Sequence, residues 1–305
     1  MEKLVNVINA SFLKDYVNDK NITDISYNGH ELFIFDTVKG RRFARTVTTE
    51  EVMVLLRNVA NLANAQFSYR DTFLDLSIGK YRLSAMHPAK SRYNEKKAPS
   101  FALRINHDFL STNPHYIDRE ITEILEELLM TNKTIIISGK TGVGKTTLQK
   151  YLLTKLKSAT RLVVIDNVLE LGEVKKLNKA LDVTLWQTSE TDEEEIGQYV
   201  KNALRFHPDY IIIAESRGTE MNEVYQSVIT GHPNIITFHA RSIAACYARL
   251  ERLIKNATLE EIYEAFPIII HLDKTETNKR IVRFIQEITL YNETTKKFET
   301  LFVER

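Results

Sequence analysis

The sequence predicts an α/β protein in which a small α+β N-terminal domain precedes a larger domain built on a mostly parallel sheet. Three observations lead there. The first third alternates apolar and polar residues with period two around one amphipathic helix. Phe109-Leu110-Ser111-Thr112-Asn113-Pro114 interrupts the pattern with turn chemistry. Beyond it, short β-branched runs alternate with helical stretches, the pattern of strands buried between helix layers. The boundaries follow: 1–110 for the first domain, 111–117 for a linker and 118–305 for the second.

In the first domain, Glu31 to Phe35 reads as a strand after a turn at Asn28-Gly29. Thr48 to Ala65 reads as a helix. Thr48 and Glu51 have capping-box spacing, and Val52, Leu55, Leu56, Val59, Leu62 and Ala63 share one face. Tyr81 to Met86 and Phe101 to Ile105 alternate as strands. Between them, His87 to Pro99 carries Lys90, Arg92, Lys96 and Lys97 and reads as a solvated loop. In the second domain, Asp118 caps a helix whose buried face is Ile121, Ile124, Leu125 and Leu128.

Composition narrows the class. The 305 residues carry 41 Lys+Arg against 40 Asp+Glu, a net charge of +1. That balance argues against a dedicated nucleic-acid binder, which shows a marked basic excess. Cys246 is the single cysteine, so neither an intramolecular disulfide nor a four-cysteine zinc module can form within the chain, and a reducing cytoplasm is expected. The N-terminus lacks the basic-then-apolar pattern of a signal peptide. No apolar run approaches the roughly 20 residues that span a bilayer.

The chemistry is concentrated after Thr134-Ile135-Ile136-Ile137-Ser138, a strand pattern buried on both faces. It runs into Gly139-Lys140-Thr141-Gly142-Val143-Gly144-Lys145-Thr146-Thr147, and a helix is expected from Leu148 to Leu156. This satisfies G-x-x-x-x-G-K-S/T in full. The glycines let backbone N–H groups converge on phosphate oxygens, and the helix N-terminus adds partial positive charge. Lys145 is expected on the β- and γ-phosphates and the Thr146 hydroxyl on Mg²⁺, which makes ATP-Mg²⁺ the expected ligand.

Hydrolysis also needs carboxylates. Arg161 to Ile165 is a second buried-strand pattern and ends in Asp166-Asn167-Val168-Leu169-Glu170, with Asp166 and Glu170 as candidates. Functional groups gather beyond the C-terminal ends of parallel strands. Tyr210-Ile211-Ile212-Ile213-Ala214-Glu215 is the stronger pattern. There Glu215 would hold Mg²⁺ directly or through water, and Arg217 would neutralise phosphate charge. Thr230-Gly231-His232-Pro233 leads to Asn234 to Phe238, a third strand pattern followed by His239.

Together these segments resemble the type II/type IV secretion ATPase superfamily. Its four boxes occur in order: the intact phosphate loop; Ile165-Asp166-Asn167-Val168-Leu169-Glu170-Leu171, similar to I-E-D-x-x-E-L; Leu204 to Gly218, similar to L-R-x-x-P-D-x-h-h-h-G-E-x-R-G with h apolar; and Thr230-Gly231-His232-Pro233 with Thr237-Phe238-His239-Ala240, similar to T-G-H-x-G and T-x-H-A. Ile22 to Gly29 resembles the N-terminal I-T-E-I-x-x-N-G, and Ala265 to Leu272 with Arg280-Ile281-Val282 resembles the closing strands. The resemblance covers nearly the whole chain. It departs where Asp166 replaces Glu, Asn167 replaces Asp, Ala214 and Asn234 replace Gly, and Arg241 replaces Asn. Asn167 cannot act as a base.

The resemblance implies a RecA-like P-loop domain and an ATPase that couples hydrolysis to domain movement. Within the superfamily the short chain resembles the traffic ATPase of type IV secretion and conjugation. It implies Asp166 or Glu215 as the group that positions water, His239 as a γ-phosphate sensor, and Arg82 and Arg104 as N-terminal-domain arginines that approach the nucleotide. It further implies a homohexamer, peripheral at the cytoplasmic face of the inner membrane, working with secretion-channel components and a coupling protein. A pilus assembly or retraction motor, a nucleotide-switched structural subunit with little hydrolysis, and a nucleic-acid motor are the alternatives.

Overall fold

The computed structural model describes residues 2–105, 114, 116–167, 171–172, 174–188, 195–216, 218–277 and 280–304. The chain forms two compact units, Met1–Phe109 with Thr275–Val282, and Leu110–Lys274 with Arg283–Arg305.

In the first unit, helices α1 (Glu2–Asn9), α2 (Lys14–Val17) and α3 (Thr49–Leu62) accompany a six-stranded sheet. The strands are β1 (Ile22–Tyr27), β2 (Glu31–Asp36), β3 (Gly40–Thr46), β4 (Phe73–Ile78), β5 (Tyr81–Met86) and, after a two-stranded ribbon of β6 (Arg92–Tyr93) and β7 (Lys96–Lys97), β8 (Ser100–Ile105). Their order is β3-β2-β1-β8-β5-β4, and each neighbouring pair is antiparallel. Period-two alternation puts Ile25, Leu32, Ile34, Leu83 and Leu103 into one core with Val52, Leu56 and Val59 of α3. The expected capping box is present: Thr48 Oγ1 accepts from Glu51 N–H, and Glu51 accepts from Thr48 N–H. The basic stretch expected as a loop instead contains the β6–β7 ribbon, because Asn94 and Glu95 take positive φ and turn the chain tightly. Thr275–Val282 belongs to this unit, where Ile281 N–H donates to Val38 O at 2.9 Å.

The second unit holds α4 (Arg119–Met130), β9 (Ile135–Gly139), α5 (Lys145–Thr154), β10 (Arg161–Asp166), α6 (Val174–Leu177), β11 (Asp182–Gln187), α7 (Glu195–Ala203), β12 (Tyr210–Ser216), α8 (Met221–Ile229), β13 (Asn234–Phe238), α9 (Ile243–Leu253) and α10 (Leu259–Ala265). Strands β14 (Ile268–Thr277), β15 (Arg280–Asn292) and β16 (Lys297–Val303) complete an eight-stranded sheet of order β11-β10-β12-β13-β9-β14-β15-β16. The pairings from β11 through β14 are parallel, and β15 with β16 is antiparallel.

Every residue of β9 and β13 is buried, because helices cover both faces of the sheet. Two apolar clusters result, one packing α4 and α5 against the sheet and one packing α7, α8, α9 and α10. Asp118 caps α4 as expected, its side chain accepting Ile121 N–H at 2.9 Å. The parallel register aligns the C-terminal ends of β9, β10, β12 and β13 along one edge, where the site residues gather.

Candidate nucleotide site

The phosphate loop spans the turn from β9 to α5, and its backbone shows why glycine is needed. Gly139, Gly142 and Gly144 adopt φ of +150°, +77° and +97°. At Gly139 the space is closed as well: a Cβ would lie 2.5 Å from Leu272 O and 2.8 Å from the Val143 side chain. Gly139→Ala is therefore expected to destabilise the protein by about 2–3 kcal/mol, from a strained φ and a clash with a backbone oxygen that cannot yield. Urea unfolding measures it; a loss under about 0.5 kcal/mol contradicts this geometry.

A loop that turns its N–H groups inward presents carbonyls outward, and these need donors. Tyr116 Oη donates to Gly144 O at 3.3 Å, and Arg283 Nε donates to Gly142 O at 2.9 Å. Burial pushes the Tyr116 hydroxyl well above its ordinary pKa, so it stays a donor at physiological pH. Val143 is buried and anchors the turn, whereas Lys140, Thr141 and Gly142 are exposed. Lys140 Nζ lies 3.4 Å from Asp273. Thr146 and Thr147 begin α5 half-buried. Beneath the loop, Ser138 Oγ and His271 Nδ1 are 2.7 Å apart on paired strands, and burial lowers the pKa of His271.

Lys145 is 8% exposed, and its Nζ donates to Gly139 O and Lys140 O, each at 3.1 Å. It also lies 3.3 Å from His239 Nδ1. An ammonium can only donate, so Nδ1 accepts and the imidazole proton resides on Nε2. That Nε2–H donates to Glu215 Oε1 at 2.9 Å. Lysine, histidine and glutamate thus form one hydrogen-bonded chain from the phosphate loop to the end of β12.

Asp166 ends β10 but is 1% exposed, and its Oδ2 accepts Leu171 N–H at 2.7 Å. Asn167 beside it is buried too. Glu170 and Arg217 lie outside the described residues. Arg82 and Arg104 lie in the first unit at paired positions of β5 and β8; Arg82 is 3.8 Å from Asp75, and Arg104 Nε is 3.2 Å from Asp24. The fold thus gathers the phosphate loop, Lys145, His239 and Glu215.

Tyr116, Arg283 and Asp273 escaped the sequence reading because their contacts join distant segments without a local motif. No cluster of three or more His, Cys, Asp or Glu side chains suited to a metal occurs among the described residues. A hard cation here would therefore draw on the Thr146 hydroxyl, the Glu215 carboxylate, water and phosphate. That oxygen donor set suits Mg²⁺.

Comparison with known proteins places the chain among secretion and conjugal-transfer proteins in sequence. The conjugal transfer protein TrbB of Rhizobium radiobacter is 24% identical over 87% of this chain and 83% of its own length. The type IV secretion system protein VirB11 of Bartonella quintana is 27% identical over 55% of this chain and 45% of its own. The X-ray structure of the Legionella pneumophila ATPase DotB superimposes with a TM-score of 0.67 at 19% identity, covering 93% of this chain and 81% of that one, and so shares the fold. Residues 102–258, just over half of the chain, match the family model described as type II/IV secretion system protein. The chain belongs to the type II/IV secretion system protein family.

Proposed function

We propose that this protein is the traffic ATPase of a type IV secretion or conjugal-transfer machine, hydrolysing ATP to drive transport or pilus assembly. The observation that carries the reading is the chain of contacts from Lys145 through His239 to Glu215 at the mouth of a complete phosphate loop. Backbone N–H groups of Gly139 to Thr147 bind the phosphates, and Lys145 turns from His239 to the β- and γ-oxygens. His239 then loses its Nδ1 donor, so its orientation follows the presence of the γ-phosphate. Glu215 and Thr146 hold Mg²⁺, which when bound neutralises phosphate charge. Glu215 or Asp166 positions water, Glu170 and Arg217 add charge near the phosphates, and Arg82 and Arg104 are the N-terminal-domain arginines assigned to nucleotide binding.

The protein works as a homohexamer, closed by a head-to-tail ring interface. No helix among the described residues is long and apolar enough to cross a membrane. On this reading the ring acts peripherally, at the cytoplasmic face of the inner membrane, against channel components and a coupling protein. Two measurements on the purified chain test this. Phosphate release from ATP is expected to require Mg²⁺, and light scattering at micromolar protein with a non-hydrolysable ATP analogue is expected to give six subunits. A persistent monomer, or phosphate release that EDTA does not stop, overturns the reading.

A further inference from the structure

The strand that carries Glu215 is not regular. Along β12 and β13 the pairing runs Ile211 with Asn234, Ile212 with Ile235 and Ile213 with Ile236, and then jumps to Ser216 with Phe238. Three steps on β12 are matched by two on β13, so the Ala214–Glu215 segment holds one extra residue. A bulge of this kind rotates the following side chain away from the strict alternation of the strand. It also strips ladder partners from the carbonyls around it, and inside a parallel sheet those carbonyls must be satisfied by other groups.

Two side chains supply them. Gln149 Nε2 donates to Ile213 O, the carbonyl just before the extra residue, and to Ile235 O on β13, both at 2.9 Å. Thr237 Oγ1 donates to Ala214 O, the next carbonyl along β12, at 2.5 Å. Gln149 is fully buried and sits on α5, one helical turn beyond Lys145. Its Oε1 is buried with no hydrogen-bond partner among the described residues. An amide that leaves one of its polar atoms unpaired costs free energy that an apolar side chain of similar size does not. That cost is offset here by the two carbonyls its nitrogen joins.

We infer that Gln149, with Thr237, is a positioning residue that holds the β12 bulge and thereby sets Glu215 relative to the phosphate loop. The inference rests on the proposed ATPase reading and deepens it. Helix α5 starts with Lys145 and Thr146, and the same helix fastens the backbone two residues before Glu215. The two ends of the expected oxygen donor set, Thr146 and Glu215, are thus tied through one buried amide. Loss of the tie leaves the phosphate loop intact and lets Glu215 drift. The consequence is selective: nucleotide binding that depends on the loop alone survives, and steps that need Glu215 in place fail.

The test uses the full chain with Gln149→Met, which keeps length and volume but donates nothing, and Thr237→Val beside its conservative partner Thr237→Ser. A fluorescent ATP analogue is titrated in EDTA and again over a range of Mg²⁺, and ATP turnover is followed by phosphate release. Gln149→Met and Thr237→Val are expected to bind nucleotide in EDTA within about twofold of the parent. They should need about fivefold more Mg²⁺ for half-saturation and turn over about tenfold more slowly, while Thr237→Ser stays near the parent. A core that is merely loosened would weaken binding equally with and without Mg²⁺, and that outcome overturns the inference. So does a Mg²⁺ half-saturation within twofold of the parent in both non-donating variants. If Gln149→Met fails to fold, the Thr237 pair decides alone. Lys145→Ala serves as the reference: if it binds the analogue as the parent does, the P-loop reading itself has failed, whereas its loss of binding beside unaffected Gln149 and Thr237 variants sinks only the inference.

Discussion

Lys145→Ala is expected to lower kcat/KM for ATP by at least about 10²–10³-fold, the scale of removing one preorganised charge from a phosphoryl-transfer site. The structure makes the effect double. The Lys145 ammonium is nearly buried and donates to the carbonyls of Gly139 and Lys140, so it braces the start of the loop as well as offering charge to the phosphates. Alanine removes the charge and leaves both carbonyls without that donor. It also takes from His239 the partner at Nδ1, which frees the ring from its one-proton arrangement with Glu215. Binding of a fluorescent ATP analogue should therefore weaken along with turnover. Lys145→Arg is expected to rescue little, because a planar guanidinium cannot direct its donors at two loop carbonyls and a ring nitrogen in the manner of an ammonium. Phosphate release under saturating Mg²⁺ measures the effect. Turnover of the alanine variant within threefold of the parent is incompatible with Lys145 as the phosphate-binding lysine.

What was legible in the sequence was what local chemistry encodes. The capping box at Thr48, the Asp118 cap and the buried runs that became β9, β10, β12 and β13 each follow from residues within one turn or one strand. The phosphate loop was legible for the same reason, since glycine at three positive-φ positions and a lysine at the helix start are read from nine consecutive residues. Contacts between distant segments were not. Arg283 reaches the loop from a strand 141 residues away, and Gln149 joins carbonyls 64 and 86 residues away. Gln149 itself looks like any polar residue on a helix until the sheet that buries it is known. The bulge at Ala214–Glu215 leaves no mark in a run of apolar residues ending in an acid. Asp166 is the converse case: its position at a strand end makes it a candidate in the sequence, and only the structure shows it 1% exposed with its Oδ2 accepting Leu171 N–H.

That burial bears on the division of labour between the two carboxylates, and here the second large effect is expected. Glu215→Gln should raise the Mg²⁺ needed for half-saturation about tenfold and lower kcat about 10²–10³-fold. The amide preserves shape and can still accept from His239 Nε2–H, so the fold should persist while the metal shell loses a full negative charge. Asp166→Asn has two possible readouts that separate cleanly. A carboxylate that activates water costs about 10²–10⁴ in turnover when made an amide, with nucleotide affinity spared. A carboxylate that serves instead as the acceptor for Leu171 N–H costs about 1–2 kcal/mol of stability when replaced, because that buried hydrogen bond is weakened. With Asp166 1% exposed and bonded to that amide, and Glu215 part-exposed at the end of β12 beside His239, the larger kinetic loss is expected at Glu215 and the larger stability loss at Asp166. Asp166→Glu sharpens the comparison. A longer side chain at this buried position should lower the unfolding midpoint, whereas a water-positioning role predicts a faster enzyme. Turnover untouched in Glu215→Gln and abolished in Asp166→Asn would reverse the assignment and move the water-activating role to β10.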